Sequence, residues 1–167
     1  MTSLIRFLTA TVVCFLASCS STPKNTENVY SGKRAVIMNG EAYAPSNAPS
    51  AVKRAIEAAN SINHLPYQFG GGHGRACYGL DCSGSASHVL RAAGLLDSCI
   101  PSKAFLKYGK SGPGKYITIF ARDGHVFMTI CGLRFDTTSG GSGHVGPRWM
   151  TRPRSTKGFK LRHPPGL

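Results

Sequence analysis

Residues 81–94 carry the clearest structural signal in the sequence. Asp81 is a residue type that commonly caps helices, and Gly94 is a typical helix terminator. Between them, apolar residues recur at helical spacing: Ala86, Val89, Leu90 and Ala93. The pattern predicts a helix of about twelve residues whose first turn carries Cys82.

The position of Cys82 indicates a chemical role. The start of a helix presents unpaired N–H groups and the positive end of the helix dipole, and both stabilise a thiolate. A nearby protonated imidazole would stabilise the thiolate further. The alternative is that Cys82 is a small buried residue or half of a disulfide. The preceding loop, with four glycines in the five residues 70–74 around His73, favours the functional interpretation.

Further elements are predicted on both sides of this helix. Helical spacing of apolar residues after Ser50, a predicted N-cap, indicates an earlier helix: Val52, Ala55, Ile56, Ala59 and Ile62. Segments 115–120 and 125–130 have strand character, and residues 121–124 join them. Cys131 and Gly132 could form a two-residue hairpin loop before a strand over residues 133–138.

This hairpin would determine whether His125 and Asp136 meet. With a two-residue loop, Ile130 pairs with Leu133, and His125 and Asp136 lie diagonally on one face of the ribbon. A carboxylate there could hold the imidazole in the tautomer that accepts a thiol proton. A loop one residue longer or shorter would place Asp136 on the opposite face.

The N-terminus has the pattern of an export signal. Residues 7–17 form an apolar run that is too short to cross a bilayer. The end of this run and the next two residues, Leu16-Ala17-Ser18-Cys19, resemble a bacterial lipobox. We expect a signal peptide over residues 1–18 and lipid on Cys19, the alternative being a buried element of the domain. Residues 19–49 are expected to form a flexible tether, although residues 35–38 could add an edge strand.

The length and the net charge of the chain restrict its possible domain organisation and partners. The chain of 167 residues, 41% of them hydrophobic, provides for one folded domain, predicted over residues 50–167. The net charge of +13 indicates a polyanionic partner such as nucleic acid, an anionic membrane or an acidic cell wall. Export makes nucleic acid an unexpected partner, and we expect a monomer anchored to a membrane and facing the periplasm or cell wall.

Three segments together resemble the NlpC-type cell-wall cysteine peptidases. They are Pro66-Tyr67-Gln68-Phe69-Gly70-Gly71, Asp81-Cys82-Ser83-Gly84 and Gly124-His125-Val126. The resemblance covers roughly residues 50–140. It implies an α+β, papain-like fold in which N-terminal helices pack on an antiparallel β-sheet. It also implies hydrolysis of peptidoglycan stem peptides, often after D-glutamate, without a metal or organic cofactor.

The resemblance assigns catalytic roles to particular residues. Cys82 is the expected nucleophile, His125 the base and Asp136 the orienting residue. Tyr67 and Ser83 are expected at the substrate or the oxyanion. The sequence departs from the family pattern twice, since the third residue is more usually His, Asn or Gln, and Ser85 stands where an aromatic residue often follows the Asp-Cys-Ser-Gly segment.

Other histidines offer alternatives. His144, in a Gly-rich stretch, is the rival third catalytic residue, whereas His73 and His88 are predicted to be surface or loop residues. Zinc binding by His73, Cys77, Cys82 and His88 is disfavoured because the spacing lacks a Cys-x2-Cys knuckle. The pairing of any disulfide among Cys77, Cys99 and Cys131 stays open.

The basic C-terminal segment and the overall function also have more than one interpretation. The segment carries Arg148, Arg152, Arg154, Lys157, Lys160 and Arg162 without an acidic residue. It is a solvated face, a surface attracted to anionic wall polymer or lipid headgroups, or both. Besides a peptidase, the sequence is compatible with a non-catalytic wall-binding module of the same fold, or with a cysteine-dependent amidase or acyltransferase.

Overall fold

The computed structural model describes residues 34–74, 78–139 and 143–167. Two helices pack against a six-stranded antiparallel sheet, and a short two-stranded hairpin precedes them. The α+β prediction is therefore confirmed. The predicted signal peptide, the lipidation site Cys19 and the cysteine at position 77 lie outside the described residues.

The elements follow one another in a simple order. The chain runs β1 (Val36–Met38), β2 (Glu41–Tyr43), α1 (Ser50–Ser61), α2 (Cys82–Ala92), a 3₁₀ helix (Ala104–Lys107), β3 (Lys110–Ser111), β4 (Ile117–Arg122), β5 (His125–Ile130), β6 (Leu133–Thr138), β7 (His144–Met150) and β8 (Lys160–His163). The large sheet has the order β3-β8-β4-β5-β6-β7. Strands β4 to β7 are therefore neighbours in both sequence and space.

Strands β1 and β2 correct the predicted end of the tether. Asn39 and Gly40 have φ angles of 53° and 84°, which suit the tight turn of a hairpin. Ala35, Ala42 and Ala48 are buried in the core of the domain. The prediction of a flexible tether through residue 49 is wrong for residues 34–49, because this segment contributes apolar surface that the domain buries.

The two helices form where the apolar spacing predicts them. Helix α1 buries Val52, Ala55, Ile56 and Ala59. Ser50 is its first residue and not its cap, since Pro49 holds the cap position without a side-chain hydrogen bond. Helix α2 begins at Cys82 after the capping residue Asp81, and Gly94, with a φ of 74°, follows its last turn.

The hairpin of β5 and β6 has the predicted register. Cys131 and Gly132 adopt φ angles of 47° and 76°, and Ile130 pairs with Leu133. Strand β4 differs from its prediction, because it begins at Ile117 and continues to Arg122. Only Asp123 and Gly124 are then left for the turn into β5.

Alternation along β5 divides its side chains between two environments. Val126, Met128 and Ile130 belong to the main core together with apolar residues of α1 and α2. Phe127 instead stacks on Phe120 with 4.5 Å between ring centroids and meets Phe159 edge-on.

No helix within the described residues is long and apolar enough to cross a membrane.

Candidate active site

The start of α2 is fixed by the carboxylate of Asp81. Its Oδ1 accepts a hydrogen bond from the Gly84 N–H at 2.6 Å, which caps the helix. Its Oδ2 accepts one from the Gly70 N–H at 3.0 Å, which holds the glycine-rich loop against the helix. Cys82, next in the chain, is therefore anchored at the first helical turn and is 7% exposed.

Gly84 is required by the packing of that loop. A Cβ atom at this position would collide with the carbonyl oxygen of Gly71 and crowd Gly72. The absence of a side chain lets the backbone of the loop lie directly on the first turn of α2. The glycine of the Asp-Cys-Ser-Gly segment thus has a structural explanation.

His125, at the start of β5, connects the helix to the sheet. Its Nε2 lies 3.1 Å from Asp136 Oδ1, and the ring is almost fully buried. Burial by itself would lower the pKa of His125, but hydrogen bonds to Asp136 and to Cys82, together with the charges of both groups, raise it. Because Asp136 occupies Nε2, Nδ1 is the nitrogen available to the thiol.

Asp136 is buried and fully hydrogen-bonded. Besides His125, its Oδ1 accepts hydrogen bonds from the Thr138 N–H at 3.1 Å and the Thr138 hydroxyl at 3.3 Å. Burial raises the pKa of such a carboxyl, but the hydrogen bonds and charges of His125 and Arg154 lower it. The carboxylate is therefore ionised and accepts the imidazole N–H.

Arg154 belongs to the candidate site, although no sequence pattern indicates it. Its Nη1 donates to Asp136 Oδ2 at 2.7 Å and to Thr138 Oγ1 at 2.8 Å, and lies 3.2 Å from His125 Nε2. The guanidinium packs over the rings of Phe127 and Phe159, at 4.8 and 5.3 Å from their centroids. For Arg154, both interpretations of the basic segment, solvation and attraction to external anions, are wrong.

A cleft of about 440 Å³ opens in front of Cys82. Its walls include Tyr67, Phe69, His73, Ser83, Lys103 and Asp123. Burial, followed by the charges of Cys82 and Asp81, raises the pKa of Tyr67, so its phenol stays protonated and can donate a hydrogen bond. Phe69 is 90% exposed at the rim, although it is a large apolar residue.

The structure places His144 away from the position of a third catalytic residue and Ser83 in the wall of the cleft. His144 stacks on the ring of Tyr67 with centroids 3.9 Å apart, and Asp136 occupies the position beside His125 that His144 would need. The Ser83 hydroxyl donates to Asp81 Oδ1 at 3.0 Å. Ser83 therefore lines the cleft while its hydroxyl supports the helix cap.

His73 lies in the loop before α2, as predicted, and it also forms part of the cleft wall. Its Nε2 lies 3.1 Å from Ser83 Oγ and 3.4 Å from Asp81 Oδ1, and its Nδ1 lies 3.3 Å from Cys99 Sγ. Only glycines flank His73 in the sequence, so no local pattern predicts its contacts with Ser83, Asp81 and Cys99. His88 agrees with its prediction, since it is exposed on α2.

The described cysteines differ in environment. Cys82, Cys99 and Cys131 are free thiols. Burial in the hairpin turn raises the pKa of Cys131 to about 11, so this thiol is protonated at neutral pH. Within the described residues, no three His, Cys, Asp or Glu side chains are grouped so that they could hold a metal ion.

Cys82, His125 and Asp136 therefore form a series beside an open cleft, in which His125 hydrogen-bonds to Asp136 and its pKa is raised by Cys82. Such a series can move a proton from the thiol to the imidazole while the carboxylate stabilises the resulting charge.

A scan of protein-family models gives no match to this chain, and a search of curated proteins gives none either.

Proposed function

We propose that the protein is an exported cysteine peptidase with a papain-like, NlpC-type fold. It hydrolyses amide bonds in peptidoglycan stem peptides, at the bond that follows D-glutamate. The observation that carries this proposal is the position of His125, which hydrogen-bonds to Asp136 and lies close enough to Cys82 for the cysteine to raise its pKa. A nucleophile, its base and an orienting group in hydrogen-bond contact are the signature of covalent acyl transfer.

The reaction proceeds in two halves. His125 Nδ1 takes the proton of the Cys82 thiol, and the thiolate attacks the amide carbonyl carbon to form a tetrahedral intermediate. The C–N bond breaks as the imidazolium returns the proton to the leaving amine, which leaves a thioester on Cys82. Water then gives a proton to His125 and attacks the thioester, and the carboxylic acid and the free thiol are released.

In this proposal, two groups hold the substrate carbonyl. The backbone N–H of Cys82 lies at the start of α2, where helix N–H groups lack partners within the helix. The protonated phenol of Tyr67 lies beside the thiol and donates the second hydrogen bond. Asp136 has no direct contact with substrate in this scheme and acts through His125.

Charge supports an anionic wall substrate. Removal of a signal peptide containing Arg6 leaves 19 basic and 7 acidic residues, a net charge of +12. Within the cleft, Lys103 can pair with a free carboxylate of a stem peptide. In this proposal lipid on Cys19 anchors the protein to a membrane, facing the periplasm or cell wall.

The test is incubation of the full chain with muropeptides, followed by mass spectrometry of the products. The wild type is expected to release stem fragments, and the masses identify the bond that is cut. Cys82→Ala should abolish the release, because no other described thiol contacts His125. Cys99→Ser is the matched control, since this half-buried thiol lies outside the series and its replacement should leave turnover unchanged.

The outcomes separate the alternative functions. Turnover that persists in Cys82→Ala would overturn the assignment of the nucleophile. Equal retention of wild type and Cys82→Ala on peptidoglycan without any product would indicate a non-catalytic binding module. Products joined to an added amine, or cut at the bond between glycan and stem peptide, would indicate an acyltransferase or an amidase.

A further inference from the structure

A second depression in the molecule lies beside β6 and β7, with walls that do not include the residues of the cleft. It has a volume of about 370 Å³. Six residues give it its chemical character: Arg134, Ser139, Arg148, Trp149, Thr151 and Arg152. We call it the arginine groove. No acidic residue is among the described residues that line it.

Arg134 is the unusual member of this groove. Its side chain is only 6% exposed, yet neither Nε nor Nη1 has a hydrogen-bond partner within the described residues. Nη2 donates at 2.6 Å to the sulfur of Met150, which is a weak acceptor. A buried cationic donor without acceptors is costly, so native structures rarely keep one without a purpose.

The nearest carboxylate does not satisfy Arg134. Asp136 Oδ2 is 3.8 Å from Arg134 Nη1, too far for a hydrogen bond. The same oxygen accepts from Arg154 at 2.7 Å, and the other oxygen is taken by His125. Asp136 therefore pairs with Arg134 only at this longer ion-pair distance, and the buried guanidinium of Arg134 has no strong hydrogen-bond acceptor within the described residues.

The other two arginines add charge at the edge of the groove. Arg148 is half-buried and is held by the backbone carbonyls of Val145 and Gly146, which fixes its guanidinium in place. Arg152 is exposed, and no hydrogen bond or ion pair to a described residue restrains it. One buried, one anchored and one free guanidinium thus surround a single depression.

We propose that the arginine groove binds a phosphate group. Three guanidinium groups favour a dianion over a singly charged carboxylate, and the planar fork of arginine pairs with two phosphate oxygens at once. The hydroxyls of Ser139 and Thr151 can donate to the remaining oxygens. This site is separate from the cleft in front of Cys82, since none of these six residues lines that cleft.

The groove contains its own spectroscopic reporter. Trp149 is the only tryptophan of the 167-residue chain, and it lines the groove. Titration of the full chain with inorganic phosphate, followed by tryptophan fluorescence, should therefore give a saturable change. Sodium acetate at matched ionic strength is the comparison, and the change with phosphate should weaken as salt is added.

Substitutions separate specific binding from general attraction to a basic protein. Arg152→Gln removes an exposed guanidinium without disturbing the core, and it should weaken the binding of phosphate about tenfold. Arg134→Met, which keeps an unbranched stem in the buried position, should abolish binding. Arg91→Gln is the matched control, because it removes the same charge from an exposed position on α2 and should leave the affinity unchanged.

Two further binding experiments identify the kind of molecule that supplies the phosphate group. Glycerol 3-phosphate represents a soluble phosphate monoester, and vesicles that contain phosphatidic acid represent a lipid phosphate monoester, with Arg152→Gln compared with the wild type in each. Binding that depends on Arg152 in either experiment supports the proposal and names the source. The proposal is overturned if phosphate gives no saturable change, if acetate binds equally well, or if Arg152→Gln and Arg91→Gln behave alike.

Discussion

At the scale of single residues, the carboxylate of Asp136 determines the electrostatics of the candidate site. It accepts hydrogen bonds from His125 and Arg154 and from both donors of Thr138. Burial of an ion is costly, and these contacts compensate for the lost hydration. Any change at Asp136 or at its partners should therefore be visible both in the ionisation of His125 and in the stability of the fold.

The first prediction concerns Asp136→Asn. The amide keeps the shape of the side chain but removes the negative charge that raises the pKa of His125. Burial then dominates, so the pKa of His125 should fall below its wild-type value, which an NMR titration of the ring proton would measure. Turnover of muropeptides should fall by a factor on the order of 10²–10⁴, as expected for loss of an orienting carboxylate. An unchanged His125 pKa would contradict this account.

The second prediction concerns Arg154→Gln and follows from the lowered pKa of Asp136. A carboxyl whose pKa is lower in the folded state stabilises the fold above its unfolded pKa, and this stabilisation disappears as the pH falls through the folded pKa. Loss of Arg154 moves the pKa of Asp136 upward. The variant should therefore be less stable at neutral pH by about 1–3 kcal/mol.

The pH dependence distinguishes this effect from lost packing. The difference in unfolding free energy between wild type and Arg154→Gln should shrink in acid, where Asp136 is protonated in both proteins. Urea denaturation at neutral and acid pH measures it, with the exposed Arg91→Gln as a control that should differ little from wild type. A difference that stays constant with pH would mean that Arg154 acts mainly by covering Phe127 and Phe159.

At the scale of elements, the position of Cys82 depends on contact between a loop and a helix. The Asp81 side chain joins the Gly70 N–H to the first turn of α2, and Gly84 leaves room for the Gly71 carbonyl. The loop therefore lies on the backbone of the helix with no side chain between them. This close approach also brings Tyr67 and His73 to the walls of the cleft.

The third prediction is that Gly84→Ala destabilises the protein, although alanine is the better helix former. The new methyl group would meet the Gly71 carbonyl oxygen, so the loop must move away from α2. We expect a loss of about 1–3 kcal/mol in the free energy of unfolding. Arg91→Ala, at an exposed position of the same helix, should be neutral or slightly stabilising. Equal stabilities of wild type and Gly84→Ala would show that the loop moves at no cost.

The sequence predicts those parts of the site that depend on local interactions. The Asp81 cap, the helix beginning at Cys82 and the tight turn at Cys131 and Gly132 are each set by a few neighbouring residues. That turn also fixes the register that brings His125 to Asp136.

Arg154 could not be predicted, because it reaches Asp136 from a separate segment without a regular pattern. The edge strand considered for residues 35–38 corresponds to β1, but its pairing with β2 was not predicted because each strand has only three residues, although Asn39-Gly40 is a strong hairpin signal.

At the scale of the whole molecule, Asn60 joins three parts of the fold. Its Nδ2 donates to the Ala42 carbonyl and its Oδ1 accepts from the Ala42 N–H, both at 2.9 Å. The same Oδ1 accepts from Trp149 Nε1 at 2.7 Å. Helix α1 is thereby tied to β2 and to β7, and β7 is the neighbour of the strand that carries Asp136.

The fourth prediction is that Asn60→Ala weakens this connection and destabilises the whole domain. Three hydrogen bonds are lost, and the buried indole N–H of Trp149 is left without a partner. We expect a loss of about 2–4 kcal/mol, measured by urea denaturation, together with a change in the native tryptophan fluorescence. Ser61→Ala, at the exposed neighbouring position, should change neither quantity appreciably. If the fluorescence changed while the stability did not, the β1–β2 hairpin would contribute little to the fold despite its place in the core.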